Sequence, residues 1–549
     1  MRVSRRVAAV ATTTAIALVA AGCSGSDDNT GGSGGDTANA AITIDGVQPE
    51  AGLIPSNTTE TGGGKIIDFM WTGLVAYPND GGAPVKAVAE SIDTTDSKVY
   101  TIKIKPNTKF HDGTIVKAKN FVDAWNWGAY SPNGAQNGSF FSDIAGFADV
   151  HTEDPDGPDG PEKAPEPKAK TMSGLKVVDD NTFEVTLGAP FSIFPTKLGY
   201  SAYMPLPDVF FTQTPEEFGK KPVGNGPVKF VSWQDNIEVK LTRFDDYTLD
   251  DKVKIKDVTV KIYQQDTAAY SDLVAGNLDF QQQIPVSNLA GDKWKTDLPG
   301  ERAISAPIPV QQIIAFPIYD KRFQNPELRK AISLSIDRAS IADKIFFNSR
   351  KPATSWGSPL APGTTPNDCS ICKFDPAAAK AALESAGGFT GELVLTYNGD
   401  ASHKEWMEAV AQSIKTNLGI NARADAIPTF QVFRQQINAH KMTGPYRAGW
   451  QQDYPDIENW LGPLYVTGGS SNDGLFSNPD VDRLYKEGTS AASVDAAHAK
   501  FAEAIKVVDA QAPTIPAFDV TQQSGTSDRL KPVKVSNVGE LDLSSVELK

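Results

Sequence analysis

Residues 447–454 read Arg-Ala-Gly-Trp-Gln-Gln-Asp-Tyr, which sets a guanidinium at Arg447, an indole at Trp450 and a carboxylate at Asp453 in one short segment. Such a set is suited to holding a charged solute. A carboxylate withdrawn from water favours a cation placed against it, and charge-assisted hydrogen bonds are about twice as strong as neutral ones. A buried carboxylate without a partner is costly, so a guest that brings the missing charge makes enclosure favourable. The same segment also fits a plain surface loop with one aromatic tucked into a core and Asp453 in a structural salt bridge or cap.

The start of the chain sets the compartment. Arg2, Arg5 and Arg6 precede an apolar run from Val7 to Ala21, too short to span a bilayer and flanked like a secretory signal. The residues Leu18-Val19-Ala20-Ala21-Gly22-Cys23 resemble a bacterial lipobox, although Ala20 stands where such boxes usually carry leucine. That resemblance implies cleavage before Cys23 and a diacylglyceryl group on its sulfur, which anchors where a single acyl chain does not. Residues 1–22 are thus expected to be a signal peptide and residues 23–44 a flexible tether. The protein is expected outside the cell, lipid-anchored to the outer face of the cytoplasmic membrane.

Catalytic chemistry is poorly represented. His111, His151, His403, His440 and His498 are scattered, and none begins a His-Glu-x-x-His zinc motif. A secreted hydrolase is the disfavoured alternative, and no enzyme is expected. Asp154, Asp156 and Asp159 break the every-second-residue spacing of a calcium loop, and no metal or cofactor is expected. Cys369 and Cys372 lie among Pro366, Asn367, Asp368 and Asp375-Pro376, a loop and not the helix start a redox pair needs, so in an exported chain they read as a local disulfide. The formal net charge of −15 argues against nucleic acid, whose binding rests on clustered Lys and Arg.

The elements that must position these residues are legible in part. Strand alternation is expected at 97–104, 182–187, 228–232, 237–241 and 258–262, with a helix carrying Phe121, Val122, Ala124 and Trp125. Residues 151–170 read as a solvated excursion. From 320 onward the texture is α/β. Asn325, Asp337 and Asp375 cap helices. A strand at 392–397, a helix ending at Gly419 and a strand at 420–427 form a βαβ unit. A helix at 494–509 and an apolar run from Ile515 to Val520 follow.

Read in order, these segments resemble the family 5 extracellular solute-binding proteins, the oligopeptide and dipeptide receptors of ATP-binding-cassette importers. The likeness runs over most of residues 45–525. It is carried by Phe69 to Val75 ahead of Ala87 to Ser91, by Phe110-His111-Asp112-Gly113 with Ala118 to Trp125, and by Gly224-Asn225-Gly226-Pro227. Leu273 to Asp279, Leu328-Arg329-Lys330-Ala331 with Ile336-Asp337-Arg338, and Arg447 to Tyr454 complete it.

The resemblance implies an α/β, two-lobed periplasmic-binding-protein-like fold (type II, cluster C) with an extra domain on the first lobe. Residues 45–70, 175–308 and 515–549 are expected in lobe I, 71–174 in its extra domain and 309–514 in lobe II, with hinges at Pro309 to Pro317 and Thr514 to Phe518. It implies that Asp453 pairs with a peptide's α-ammonium group, that Trp450 walls the cleft and that Arg447 lies near the ligand's side chains or carboxylate. Phe140 and Phe141 fall where the family sets an aromatic over the cleft, and His111 is structural. Main-chain hydrogen bonds would hold an extended peptide, with side chains in roomy hydrated pockets. The expected partners are a peptide, a permease with its ATPase subunits and the membrane, with the receptor a monomer. The alternatives are the same fold holding a nickel chelate, sugar or other small solute, or a sensor lipoprotein without transport.

Overall fold

The structure, a computed structural model, describes residues 39–79, 81–152, 163–399 and 401–549; the signal segment, Cys23 and the expected tether as far as residue 38 lie outside the described residues. The first strand, Ala41–Gly46, pairs in parallel with Asp257–Ile262, and its Ile42 and Ile44 are buried. A tether reaching to residue 44 is therefore corrected. Burying two isoleucines and completing a ladder offsets the cost of ordering residues 41–44.

An eleven-stranded sheet runs through the molecule. Its centre is two long antiparallel strands, Ala303–Ala315 and Thr514–Thr526. On one side of the pair lie Tyr446–Gln451, Glu392–Asn398 and Asn421–Ile427; on the other lie Phe280–Gln281, Ala41–Gly46, Asp257–Ile262, Glu238–Arg243 and Val228–Gln234, and the short Arg350–Pro352 also pairs with Thr514–Thr526. The register between the long strands breaks between Pro307 and Gln311. Pro307 and Pro309 have no N–H to give to a ladder, so continuous pairing stops there.

The side toward Asn421–Ile427 is built as the periodicity predicts. Glu392–Asn398 and Asn421–Ile427 are parallel, and the helix between them, Lys404–Leu418, ends at Gly419 with φ +71°. That left-handed conformation favours glycine. Asn325 accepts from Glu327 N at 3.0 Å, Asp337 from Ser340 N at 3.0 Å and Asp375 from Ala378 N at 3.0 Å, each closing a helix start. Trp406, Val410, Ile414, Ile332 and Leu395 share one core there.

A separate four-stranded antiparallel sheet contains Ala89–Asp93, Val99–Ile104, Thr182–Thr186 and Leu175–Asp179. The helix Ala118–Ala129 belongs with it: Phe121 stacks on Phe183 at 5.8 Å between ring centroids, and Trp125 meets the same ring edge-on at 5.6 Å. The boundary expected at 174 is corrected as well. The two strands over 175–186 supply half of this sheet's ladder and cannot be parted from residues 89–104.

The Phe110 to Gly113 segment and the Gly224 to Pro227 turn, far apart in sequence, meet through His111. Gly224 N donates to His111 Nδ1 at 3.1 Å, which fixes the proton on Nε2, 3.0 Å from Gly226 O. Asn225 exchanges two hydrogen bonds with Thr72, and a Cβ on Gly224 would lie 2.1 Å from Met70 O, so the turn needs its glycines. Burial pushes the His111 imidazole down to about 4, the bond to Gly226 only partly opposing it. Cys369 and Cys372 are joined by a disulfide, both sulfurs buried. Among the described residues, no helix is long and apolar enough to cross a membrane and no group of His, Cys, Asp and Glu is arranged to hold a metal.

Candidate ligand-binding site

Tyr446–Gln451 lies beside Ala303–Ala315 in antiparallel register, with Arg447 opposite Ile314 and Trp450 opposite Gln311. The ladder carries the segment as far as Gln452, whose N donates to Pro309 O at 3.2 Å. Asp453 therefore stands just past the end of a fixed strand, where its side chain is held but not packed away.

Asn459, on the helix Glu458–Tyr465, fixes it there. Asn459 Nδ2 donates to Asp453 Oδ2 at 2.9 Å, while its Oδ1 accepts from Asp453 N at 2.8 Å and from Trp450 Nε1 at 3.3 Å. One amide thus orients both the carboxylate and the indole. Asp453 and Trp450 are half-buried. Burial pushes the Asp453 carboxyl up to about 6, the Asn459 bond and the charge of Lys197 only partly opposing it. Among the described residues Asp453 forms no ion pair.

Lys197 is committed elsewhere. Its Nζ is 2.5 Å from Asp143 Oδ2 and 5.8 Å from the Tyr454 ring centroid. Burial alone would lower its pKa, but Asp143, Tyr203 and Glu458 outweigh that and raise it. Glu458, itself raised by burial, accepts from Tyr454 and from Tyr485. This buried network joins residues 143 and 197 to residues 454–485.

Tyr77 and Tyr200 stand near enough to feel the charge of Asp453. Burial raises both phenols, and the charge of Asp453 raises them further. Tyr77 OH donates to Thr196 O at 2.8 Å. Tyr200 also feels Asp68, whose carboxyl burial and then the neighbouring Glu540 hold well above its usual range. The surroundings of Asp453 are aromatic, and aromatic faces suit a cation.

Phe140 is half-buried and stacks on Tyr200 with ring centroids 4.3 Å apart, which ties it to these phenols. Phe141 is corrected: it is fully buried, with its ring 6.3 Å from Trp125 and 5.3 Å from Tyr203. Adjacent residues of one 3₁₀ turn point different ways, and this one fills the core of the four-stranded domain. Arg447 is half-buried and borders a cavity that Trp450 also lines. Tyr77, Tyr200, Lys197 and Asn459 escape the sequence reading. The first three come from segments more than 200 residues away, Lys197 from the short helix Phe194–Lys197, and Asn459 has the look of an ordinary helix residue.

In fold, the chain is similar to the murein tripeptide binding protein MppA of Escherichia coli, with TM-score 0.76 and 22% identity over 93% of this chain and 98% of that one. It is similar as well to Haemophilus influenzae OppA in complex with the peptide RPPGFSPFR, with TM-score 0.75 and 21% identity over 93% and 99%. It is therefore a two-lobed α/β solute-binding fold. Among curated proteins, the oligopeptide-binding protein OppA of Bacillus subtilis is 25% identical over 547 residues, 96% of each chain. The sequence pattern of the Bacterial extracellular solute-binding proteins, family 5 Middle, matches residues 83–472, well over half of the chain. The chain belongs to that family.

Proposed function

We propose that this protein captures peptides bearing a free amino terminus between its two lobes and delivers them to the permease of an ATP-driven importer. The observation that carries this is Asp453: a half-buried carboxylate, oriented by Asn459, without an ion pair among the described residues and near enough to Tyr77 and Tyr200 for its charge to act on both phenols. An α-ammonium group supplies the charge that this site lacks. Trp450 and Phe140 wall the site, and Arg447 stands further along the same strand. The relatives' names, oligopeptide- and murein tripeptide-binding among them, favour a peptide over a sugar or a chelate.

The long strands Ala303–Ala315 and Thr514–Thr526 serve as hinges, and the Lys197 network against Tyr454 and Glu458 is the contact made on closure. Closure assembles a composite surface from both lobes, so occupancy is reported to the permease by geometry. Cys23 anchors the receptor to the outer face of the membrane. Calorimetry with di- to pentapeptides, their N-acetylated forms and oligosaccharides tests this. Binding of free peptides alone is expected; equal binding of acetylated and free peptides would refute the ammonium assignment.

A further inference from the structure

We propose that the cavity beside Tyr446–Gln451 is a subsite for one bulky apolar side chain, leucine- to phenylalanine-sized, of the captured peptide; this rests on the function proposed above. The cavity holds about 180 Å³ and is lined by Ile313, Phe316, Ile318, Phe433, Ile437 and Leu464. A dry apolar cavity of about 150 Å³ is enough to take a benzene ring. Of the three charged groups in its wall, Arg434 and Asp473 pair with each other, Arg434 Nη1 and Nη2 lying 2.7 and 3.2 Å from the two carboxylate oxygens, and Arg447 stands at the border on its strand. A lysine side chain would lose its hydration among these apolar residues, beside two guanidinium groups, without recovering it.

The cavity and the Asp453 site meet at Trp450. Trp450 lines the cavity, and the Trp450 indole and the Asp453 carboxylate are both held by Asn459. Trp450 and Asp453 are three positions apart, a backbone span of at most ~11 Å. An extended peptide advances ~3.3 Å per residue with side chains on alternating sides, so a side chain within the first three residues reaches the cavity while the amino terminus sits on Asp453. Phe430, which lines the cavity, is 47% exposed, and Leu475, between lining residues Gly474 and Phe476, is 49% exposed. Apolar surface of this kind beside an apolar cavity is what a guest side chain would cover. Such a pocket gives selectivity where roomy hydrated pockets would give none.

The test is calorimetry on the full-length protein with alanine tri- and pentapeptides carrying a single phenylalanine or lysine at position 1, 2 or 3. At one position phenylalanine is expected to tighten binding about tenfold or more over the all-alanine peptide, from the apolar area it buries, whereas lysine does not. Ala448→Leu, which grows a side chain into the space, is expected to bring the phenylalanine-to-alanine ratio close to one. Phe430→Ser, at a position 47% exposed, is expected to reduce the ratio, with circular dichroism reporting that the fold is kept. If alanine peptides bind through their amino terminus and the ratio is near one at every position, the subsite is refuted while the proposed function stands. If no peptide of either length binds, the proposed function fails and the subsite with it.

Discussion

Replacing Asp453 with asparagine removes the charge while keeping the size of the side chain and a bond to Asn459. With its carboxyl at about 6, Asp453 is ionised in the empty site at pH 7.5. A charge-assisted hydrogen bond contributes about 1.5–3 kcal/mol, and stranding a buried charge costs about 3–5 kcal/mol. For a half-buried site the loss falls at about 2–4 kcal/mol, a roughly thirtyfold to several-hundredfold rise in Kd. Calorimetry of the wild type and Asp453→Asn with a tripeptide and its N-acetylated form makes a double-mutant cycle. Each single change is expected to weaken binding by a similar factor, and the two together by little more than one. Wild-type affinity for the free peptide is expected to fall as pH drops below about 6, as the carboxyl takes up a proton, while that of Asp453→Asn stays flat.

For the empty protein the sign is opposite. A carboxyl raised from 3.8 to about 6 is disfavoured only when ionised, so its favourable contribution is complete below 3.8 and is lost as pH rises through about 6. Empty Asp453→Asn is therefore expected to melt above the wild type at pH 7.5 and close to it at pH 4. Wild-type affinity in Asp453→Asn, or indifference of the wild type to acetylation, would refute this electrostatic reasoning.

Asn459→Ala frees the carboxylate and the indole, and peptide affinity should fall about tenfold while the protein keeps its fold by circular dichroism. His111→Ala loses two hydrogen bonds, and chemical denaturation should register about 1–3 kcal/mol. Because the folded imidazole sits at about 4 against 6.5 unfolded, wild-type stability should decline as pH falls from about 6.5 toward 4, and that decline should shrink in the variant. Lys197→Met strands the Asp143 carboxylate and should cost about 2–3 kcal/mol in urea, with Asp143→Asn in the same chain restoring part of it.

What could be read from the sequence was what local physics decides. The caps at Asn325, Asp337 and Asp375 and the stop at Gly419 each follow from one side chain and its own turn, and the structure keeps them. The strand that bears Arg447 and Trp450 does not belong to that class: its segment reads as a surface loop, and its pairing with Ala303–Ala315 is made across more than 100 residues. The groups near Asp453 do not belong to it either. Tyr77, Tyr200 and Lys197 approach through tertiary packing, and no spacing near residue 453 announces them. Phe140 and Phe141 show the limit most clearly: two identical side chains in one turn have opposite fates, decided by Trp125 and Tyr203 on one side and Tyr200 on the other. The extra domain's limit was misjudged because Leu175–Asp179 and Thr182–Thr186 form a hairpin whose further pairing partner, Val99–Ile104, lies some 80 residues earlier.

A crystal structure of the protein with a bound tripeptide tests the central claim most directly. The peptide's α-ammonium nitrogen is predicted to lie at about 2.7–2.9 Å from an Asp453 carboxylate oxygen, with Trp450 and Tyr200 beside it and the Asn459 bond retained. An amino terminus left in solvent, with Asp453 still bonded only to Asn459, would contradict it.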